Sequence, residues 1–299
     1  MKLLITPEDG ATAILKAVRH ASKSIQIVIF RFDLTPLEQA LGAAVGRGVP
    51  VRALIANTAR GGEKRLRKLE QRLLESGVTV ARTGDDLMRY HGKMLIVDDA
   101  LFVLGFNYTR LDIERSRSFG IHTKDAKLLK AACELFESDA TRQPYTPSDD
   151  RLVVSPENAR ETLGDFIDGA KKQLSLYDMN LSDPRMLKLL DQRVKAGVEV
   201  RVIGGKVKKG PNGMGIRTMT KTRLHARAIV RDGSRAFIGS QSLRKAELDQ
   251  RREVGLIITD SKIAAQIQHQ FNADWENAKP KAEPATAEEE AESARASAE

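Results

Sequence analysis

Two stretches of the chain carry one pattern. Tyr90 to Asn107 reads YHGKMLIVDDALFVLGFN, and Leu224 to Gln241 reads LHARAIVRDGSRAFIGSQ. In each, a histidine is followed by one residue, a cation, four residues, an aspartate and then, seven positions on, a glycine. The copies sit inside longer repeats. PEDGATAILKAVRHASKSIQIVIFRF from Pro7 aligns with PENARETLGDFIDGAKKQLSLYDMN from Pro156, 149 residues later, and that register carries Gly48 onto Gly197 and Val51-Arg52 onto Val200-Arg201. His91 and His225 are 134 residues apart, so the first copy holds 15 extra residues, assigned to the basic segment RGGEKRLRKLEQRLLESG. Each copy closes alike, Phe136-x-x-Asp139 against Phe271-x-x-Asp274. A duplication of this length restricts the fold to two copies of one unit.

Within each copy the apolar period alternates between helical and extended. Ala13–Ala21 has helical spacing and precedes the strand IQIVIF; Leu37–Val45 reads as a helix stopped near Gly48, before the strand VRALIA. Two strands then flank DDA in one copy and RDGS in the other, where Asp232-Gly233 suits a hairpin turn. A further strand, FGIHT or VGLII, leads into the closing helix. The expected fold class is α/β, with two pseudo-symmetric lobes, each a mixed sheet flanked by helices. The expected boundaries are residues 1–146 for the first lobe, 147–277 for the second and 278–299 for an acidic tail. That tail is rich in Ala, Glu, Pro and Ser without an apolar period, and it is expected to be disordered.

Charge narrows the partners. The chain carries +9, but the tail holds three cations against six glutamates, leaving +12 on the body. A basic body suits nucleic acid, an acidic lipid surface or a phosphate ester. The single cysteine, Cys133, lies in the apolar LKAACELF and reads as helix core. The opening MKLLITPEDG is too short for a secretory leader, and no run reaches the length of a transmembrane segment. The expectation is a soluble, cytoplasmic protein.

Residues two apart in a strand share a face, so His91 projects with Lys93 and His225 with Arg227, while Asp98 and Asp232 fall at the following turn. Gly105 with Asn107, and Gly239 with Gln241, lie where the next strand returns. Each copy thus offers an imidazole, a fixed cation and an amide. Two such sets suit phosphodiester cleavage without a metal: one imidazole attacks phosphorus and the other protonates the leaving oxygen, while cations and amides stabilise the equatorial oxygens. Two in-register matches arise by chance with a probability of about one in a thousand. His20, His122 and His269 have no repeated partner and read as structural.

The doubled motif resembles that of the phospholipase D superfamily, whose mark is two HxKx4D motifs. The resemblance runs from about Pro7 to Trp275. It implies a two-lobed α/β fold with the active site between the lobes, a phosphohistidine intermediate and no cofactor or metal. It makes His91, Lys93 and Asn107 the first half-site, and His225, with Arg227 and Gln241 in the Lys and Asn places, the second. Arg227 keeps the charge and adds a bidentate fork. Phe106 stands where a small hydroxyl residue is common. The acidic residue that orients histidine is matched by Glu253, assigned to His225; Ser118 stands at the corresponding place in the first copy, so that half borrows Asp112 or Glu114 or goes without. Family order makes His91 the nucleophile and His225 the acid and then the base. Asp98 and Asp232 belong to the motif, although their turn positions favour a structural role.

Among phosphodiesters, the expected substrate is a phospholipid, whose phosphatidyl group is hydrolysed or transferred, with peripheral contact to an anionic membrane. Nucleic acid is the alternative substrate, as for a nuclease of the same superfamily, and a non-catalytic anion-binding protein is the third reading. The basic segments RGGEKRLRK and GGKVKKGPNGMGIRTMTKTR suit either anion. The second, just before His225, reads as a gating loop. Aromatic content of 5% leaves few side chains for bases to stack on, which argues against single-stranded nucleic acid.

Overall fold

The computed structural model describes residues 1–57, 63–207 and 211–280. The first repeat runs β1 (Lys2–Thr6), α1 (Thr12–Arg19), β2 (Ile25–Ile29), α2 (Thr35–Gly46), β3 (Val51–Ile55), α3 (Glu63–Glu75), β4 (Thr79–Arg82), β5 (Arg89–Tyr90), β6 (Met94–Val97), β7 (Ala100–Leu104), α4 (Arg110–Arg115), β8 (Ser116–Thr123) and α5 (Ala126–Thr141). The second runs β9 (Leu152–Ser155), α6 (Ala159–Asp168), β10 (Gln173–Leu181), α7 (Pro184–Lys195), β11 (Glu199–Val207), β12 (Gly215–Thr218), β13 (Arg223–Leu224), β14 (Ala228–Arg231), β15 (Arg235–Gly239), α8 (Lys245–Asp249), β16 (Arg251–Ile258), α9 (Ser261–Asn277) and β17 (Lys279–Pro280).

The protein is a two-lobed mixed α/β fold. One sheet has the order β1-β8-β7-β6-β2-β3-β4 and the other β17-β12-β11-β10-β14-β15-β16-β5, with β9 paired to β16 and β13 to β8. Its layers follow from the sequence pattern. In β2 the residues IQIVI alternate between buried and half-buried, whereas MLIV of β6 and ALFVL of β7 are buried throughout, because both faces of the central strands are covered. One apolar cluster lies beneath α1 and α2 and another beneath α6 and α7. The third joins the lobes: Val103 and Phe119 of the first pack with Ile238 and Val254 of the second, alongside Leu135 of α5 and Phe271 of α9. Asp125, Asp183 and Asp260 accept backbone N–H bonds at the starts of α5, α7 and α9, which fixes where those helices begin.

The structure adds elements that the sequence pattern did not show. The opening KLLIT and the segment LVVS are strands β1 and β9, unanticipated because each is a short edge strand whose four or five residues carry too little period to read. The 15-residue insertion holds helix α3 between β3 and β4. The segment read as a gating loop contributes β12, whose Arg201 to Ile203 partners on β11 make it a parallel strand; residues 208–210 lie outside the described residues. The tail begins by pairing, with Lys279 and Pro280 against Thr218 and Arg217. The rest of it, residues 281–299, lies outside the described residues. Among the described residues, no helix is long and apolar enough to cross a membrane.

Candidate active site

Each lobe hands a short strand to the other just before its histidine. Arg89 and Tyr90 pair with Arg251 and Arg252, while Arg223 and Leu224 pair with Ser116 and Arg117. The next amides continue the exchange: His91 N donates to Arg252 O at 2.7 Å, and His225 N to Arg117 O at 3.0 Å. The two lobes therefore meet where the motifs stand. Gly105 marks how closely, since a Cβ there would lie 3.1 Å from Gly239 O of the second lobe.

At the first half-site, His91 is 8% and Lys93 0% exposed. Nδ1 of His91 lies 2.7 Å from Oε2 of Glu253, and Lys93 Nζ lies 2.9 Å from Nδ1 and 2.8 Å from Nε2 of the ring. Phe30 meets the ring edge-on, with centroids 4.4 Å apart, and Lys93 Nζ is 5.4 Å from the same phenyl centroid. Burial, then Lys93, Arg227, Arg251 and Arg89, push the His91 pKa well below its ordinary value. Burial also lowers Lys93 to about 7, against the pull of Glu253, and raises the Glu253 carboxyl.

At the second half-site, His225 is 6% and Arg227 8% exposed. Nδ1 of His225 faces Oδ2 of Asp112 at 3.6 Å. Asp112 also accepts from Asn107 N at 3.0 Å and Asn107 Nδ2 at 2.6 Å, and pairs with Arg223 at 2.8 Å. Burial and then Arg227 lower the His225 pKa well below its ordinary value, partly opposed by Asp112. Arg227 of one repeat thus acts on His91, and Lys93 of the other acts on His225, so the two half-sites form one electrostatic unit. Asn107 Oδ1, His225 Nδ1, Arg227 Nε and Glu253 Oε1 are buried and make no hydrogen bond within the protein.

The carboxylates are crossed relative to the sequence expectation. Glu253 orients His91, in the opposite repeat, and Asp112 faces His225; Glu114 is exposed. Sequence alone aligned Glu253 with the histidine of its own repeat because it could not show the strand exchange.

Gln241 is not the counterpart of Asn107. The β6–β7 turn encloses two residues, Asp98 and Asp99, between the Val97–Ala100 pair, whereas the β14–β15 turn encloses three, Asp232 to Ser234, between Arg231 and Arg235. Beyond the turn the register therefore slips by one. Gly105 N donates to Phe119 O, and Ser240 N to Val254 O; Asn107 N donates to Asp112, and Ser242 N to Glu247 Oε2 at 2.9 Å. Asn107 thus corresponds to Ser242, and Phe106 to Gln241. The last two both turn into the sheet. Phe106 lies against Gly120, and Gln241 lies against Gly255 while donating to Val153 O at 3.0 Å. The missed residues Ser242 and Glu247 were discoverable from the closing Phe-x-x-Asp pair, which already runs at a spacing of 135.

Asp98 and Asp232 stand apart from this chemistry, at the far ends of β6 and β14. Each has a positive φ, 53° and 51°. Asp98 accepts from the amides of Ser22, Lys23 and Ser24, and Asp232 from those of Lys171, Lys172 and Gln173. They fasten the hairpin turn to the start of β2 or β10.

The family described as cardiolipin synthase, PLD-like domain matches residues 14–140 and 163–275. The chain belongs to it, and so to the phospholipase D superfamily. No curated protein matches the sequence. Among solved structures, a polyphosphate kinase from Porphyromonas gingivalis superposes with a TM-score of 0.79 at 17% identity, over 92% of this chain but 47% of that one. The chain thus spans about half of the kinase. A phosphatidylserine synthase from Haemophilus influenzae Rd KW20 superposes with a TM-score of 0.72 at 13% identity, over 94% of this chain and 87% of that one. At these identities the likeness is one of fold.

Proposed function

We propose that the chain is a phosphodiesterase of the phospholipase D type that hydrolyses or transfers the phosphatidyl group of a phospholipid. The observation that carries this reading is the meeting of two buried histidines, one from each repeat, with the cations Lys93 and Arg227 beside them. Glu253 accepts the Nδ1 proton of His91, which leaves the Nε2 lone pair to attack phosphorus. The N–P bond forms as the P–O bond to the leaving group breaks, and His225 gives its proton to the departing oxygen. An anionic diester beside His225 raises the proton affinity that burial had lowered, so the ring enters the step charged. Water or an alcohol then attacks phosphorus, loses its proton to His225, and the N–P bond breaks. Lys93, Arg227 and the Asn107 amide stabilise the charge on the equatorial oxygens.

Phospholipid is preferred over nucleic acid because the family description and one structural neighbour both concern phospholipid synthesis, and because few aromatic side chains are on offer for base stacking. The test is a panel of labelled phospholipids, single- and double-stranded DNA and polyphosphate. His91→Ala and His225→Ala serve as controls, each reaction run with and without EDTA. Release or exchange of a lipid headgroup, lost in both variants and unaffected by the chelator, is the expected result. Turnover of DNA alone, or restoration by a divalent ion after chelation, would replace this reading.

A further inference from the structure

The closing aspartates of the two repeats have no part in the chemistry above, yet they are buried and crossed between lobes. Asp139, at 6% exposure in α5 of the first lobe, accepts from Arg252 Nε of the second at 3.0 Å. Asp274, at 9% in α9 of the second lobe, accepts from Arg117 Nε of the first at 2.7 Å. The remaining guanidinium contacts repeat as well. Arg252 donates to Ser155 O at 2.9 Å and to Glu157; Arg117 donates to Thr6 O at 2.7 Å and to Glu8 at 2.8 Å. These are the two arginines whose carbonyls hold the amides of His91 and His225. Arg252 moreover directly precedes Glu253, the orienting carboxylate.

We infer that Arg252–Asp139 and Arg117–Asp274 are positioning pairs, each locking one histidine to the strand of the opposite lobe. Each pair fixes the guanidinium-bearing residue by its side chain, so that its carbonyl becomes a rigid acceptor for the histidine amide. The first pair sets the approach of His91 to phosphorus, and the second sets the reach of His225 to the leaving oxygen. A displacement of about 1 Å in such a group costs roughly 100-fold in rate. The inference rests on the proposed roles of the two histidines and separates the pairs by chemistry. Losing the His91 position slows attack whatever the leaving group. Losing the His225 position slows alkoxide departure, while a nitrophenolate leaves without a proton.

Removing one member of a buried pair strands a charge and risks the fold. The test therefore uses Arg252→Met/Asp139→Leu and Arg117→Met/Asp274→Asn, the asparagine keeping a partner for the Tyr177 hydroxyl, which donates to Asp274 at 2.7 Å. Both are compared with Arg252→Lys and Arg117→Lys for partial rescue. Soluble variants with a cooperative melt are assayed for single-turnover release of the leaving group from a phosphatidyl alkyl ester and from phosphatidyl-4-nitrophenol, with ring ¹⁵N resonances of His91 and His225 recorded in parallel. The expected result is a loss of about 100-fold on both esters for the Arg252 pair. For the Arg117 pair the loss is about 100-fold on the alkyl ester and under about tenfold on the nitrophenyl ester. Equal losses on both esters in both variants, or wild-type rates in folded variants, overturn the inference. Should the wild-type protein turn over neither lipid ester, the phosphodiesterase reading fails on that result alone. The pairs are then judged by the resonances, and ring signals unmoved in both double variants overturn them.

Discussion

Glu253 and His91 come from different repeats, yet the carboxylate sits 2.7 Å from the imidazole Nδ1. The contact gives the duplicated chain a reason to stay interlocked, because neither lobe alone holds both the His91 imidazole and its carboxylate. Its charge also matters. A carboxylate at Nδ1 stabilises the imidazolium-like charge that develops as Nε2 bonds to phosphorus. Glu253→Gln keeps the volume and one acceptor but loses that charge, and kcat should fall about 10²–10⁴-fold with little change in KM. Asp112→Asn should cost less, since its oxygen is 3.6 Å from His225. Steady-state kinetics on the folded variants decide the matter, and an undiminished kcat in Glu253→Gln would remove the dyad.

Lys93 makes a pH prediction whose sign is fixed. Burial lowers its folded-state pKa from 10.5 to about 7. Between those values the unfolded chain holds a proton that the native protein lacks, so this residue makes stability rise with pH across the window. Below it the native state bears the full cost of a buried ammonium. Urea titrations of the wild-type protein and Lys93→Met at several pH values should show the variant's advantage shrinking from pH 7 towards 10.5. A pH-independent difference would mean that Lys93 is charged throughout.

What the sequence revealed and what it hid divide along a physical line. Local period showed the helices α1 and α2 and the strands β2 and β3, because amphipathic spacing is a property of contiguous residues. The repeat placed His91, Lys93, His225 and Arg227 together, since duplication implies symmetry. Strand exchange and turn length are different in kind. Whether β5 pairs within its own lobe or with β16 depends on contacts 162 residues apart, such as His91–Glu253, and no local pattern records it. The extra residue in the second hairpin turn shifted the alignment by one and made Gln241 look like Asn107.

The motif aspartates should behave as structural residues. Asp98 and Asp232 each gather three backbone amides at a turn. Alanine at either position strands those donors and places a Cβ residue without a compensating side chain at positive φ, a cost of about 1–3 kcal/mol. The melting temperature should fall in Asp98→Ala and in Asp232→Ala, while kcat measured well below the transition stays within about twofold of wild type. A loss of several orders of magnitude in kcat with an unchanged melting temperature would place these residues in the chemistry after all.

The two histidines can be told apart. Pairing with Glu253 commits Nδ1 of His91 as a donor and leaves the lone pair on Nε2, 2.8 Å from Lys93 Nζ; His225, with a longer contact to Asp112, is the freer ring to exchange protons. His91 is therefore the expected nucleophile, on its closer carboxylate as well as on family order. Single His91→Ala and His225→Ala variants should each lose several orders of magnitude in turnover of an alkyl ester, since attack and leaving-group protonation are both required. With a nitrophenyl ester they should diverge. His225→Ala should release up to one equivalent of nitrophenol in a burst and stall as the phosphohistidine, for want of a base to activate water. His91→Ala should give no burst. Acid quenching and peptide mapping of the stalled variant should find the phosphoryl group on His91. A burst from His91→Ala, with the adduct on His225, would exchange the two roles.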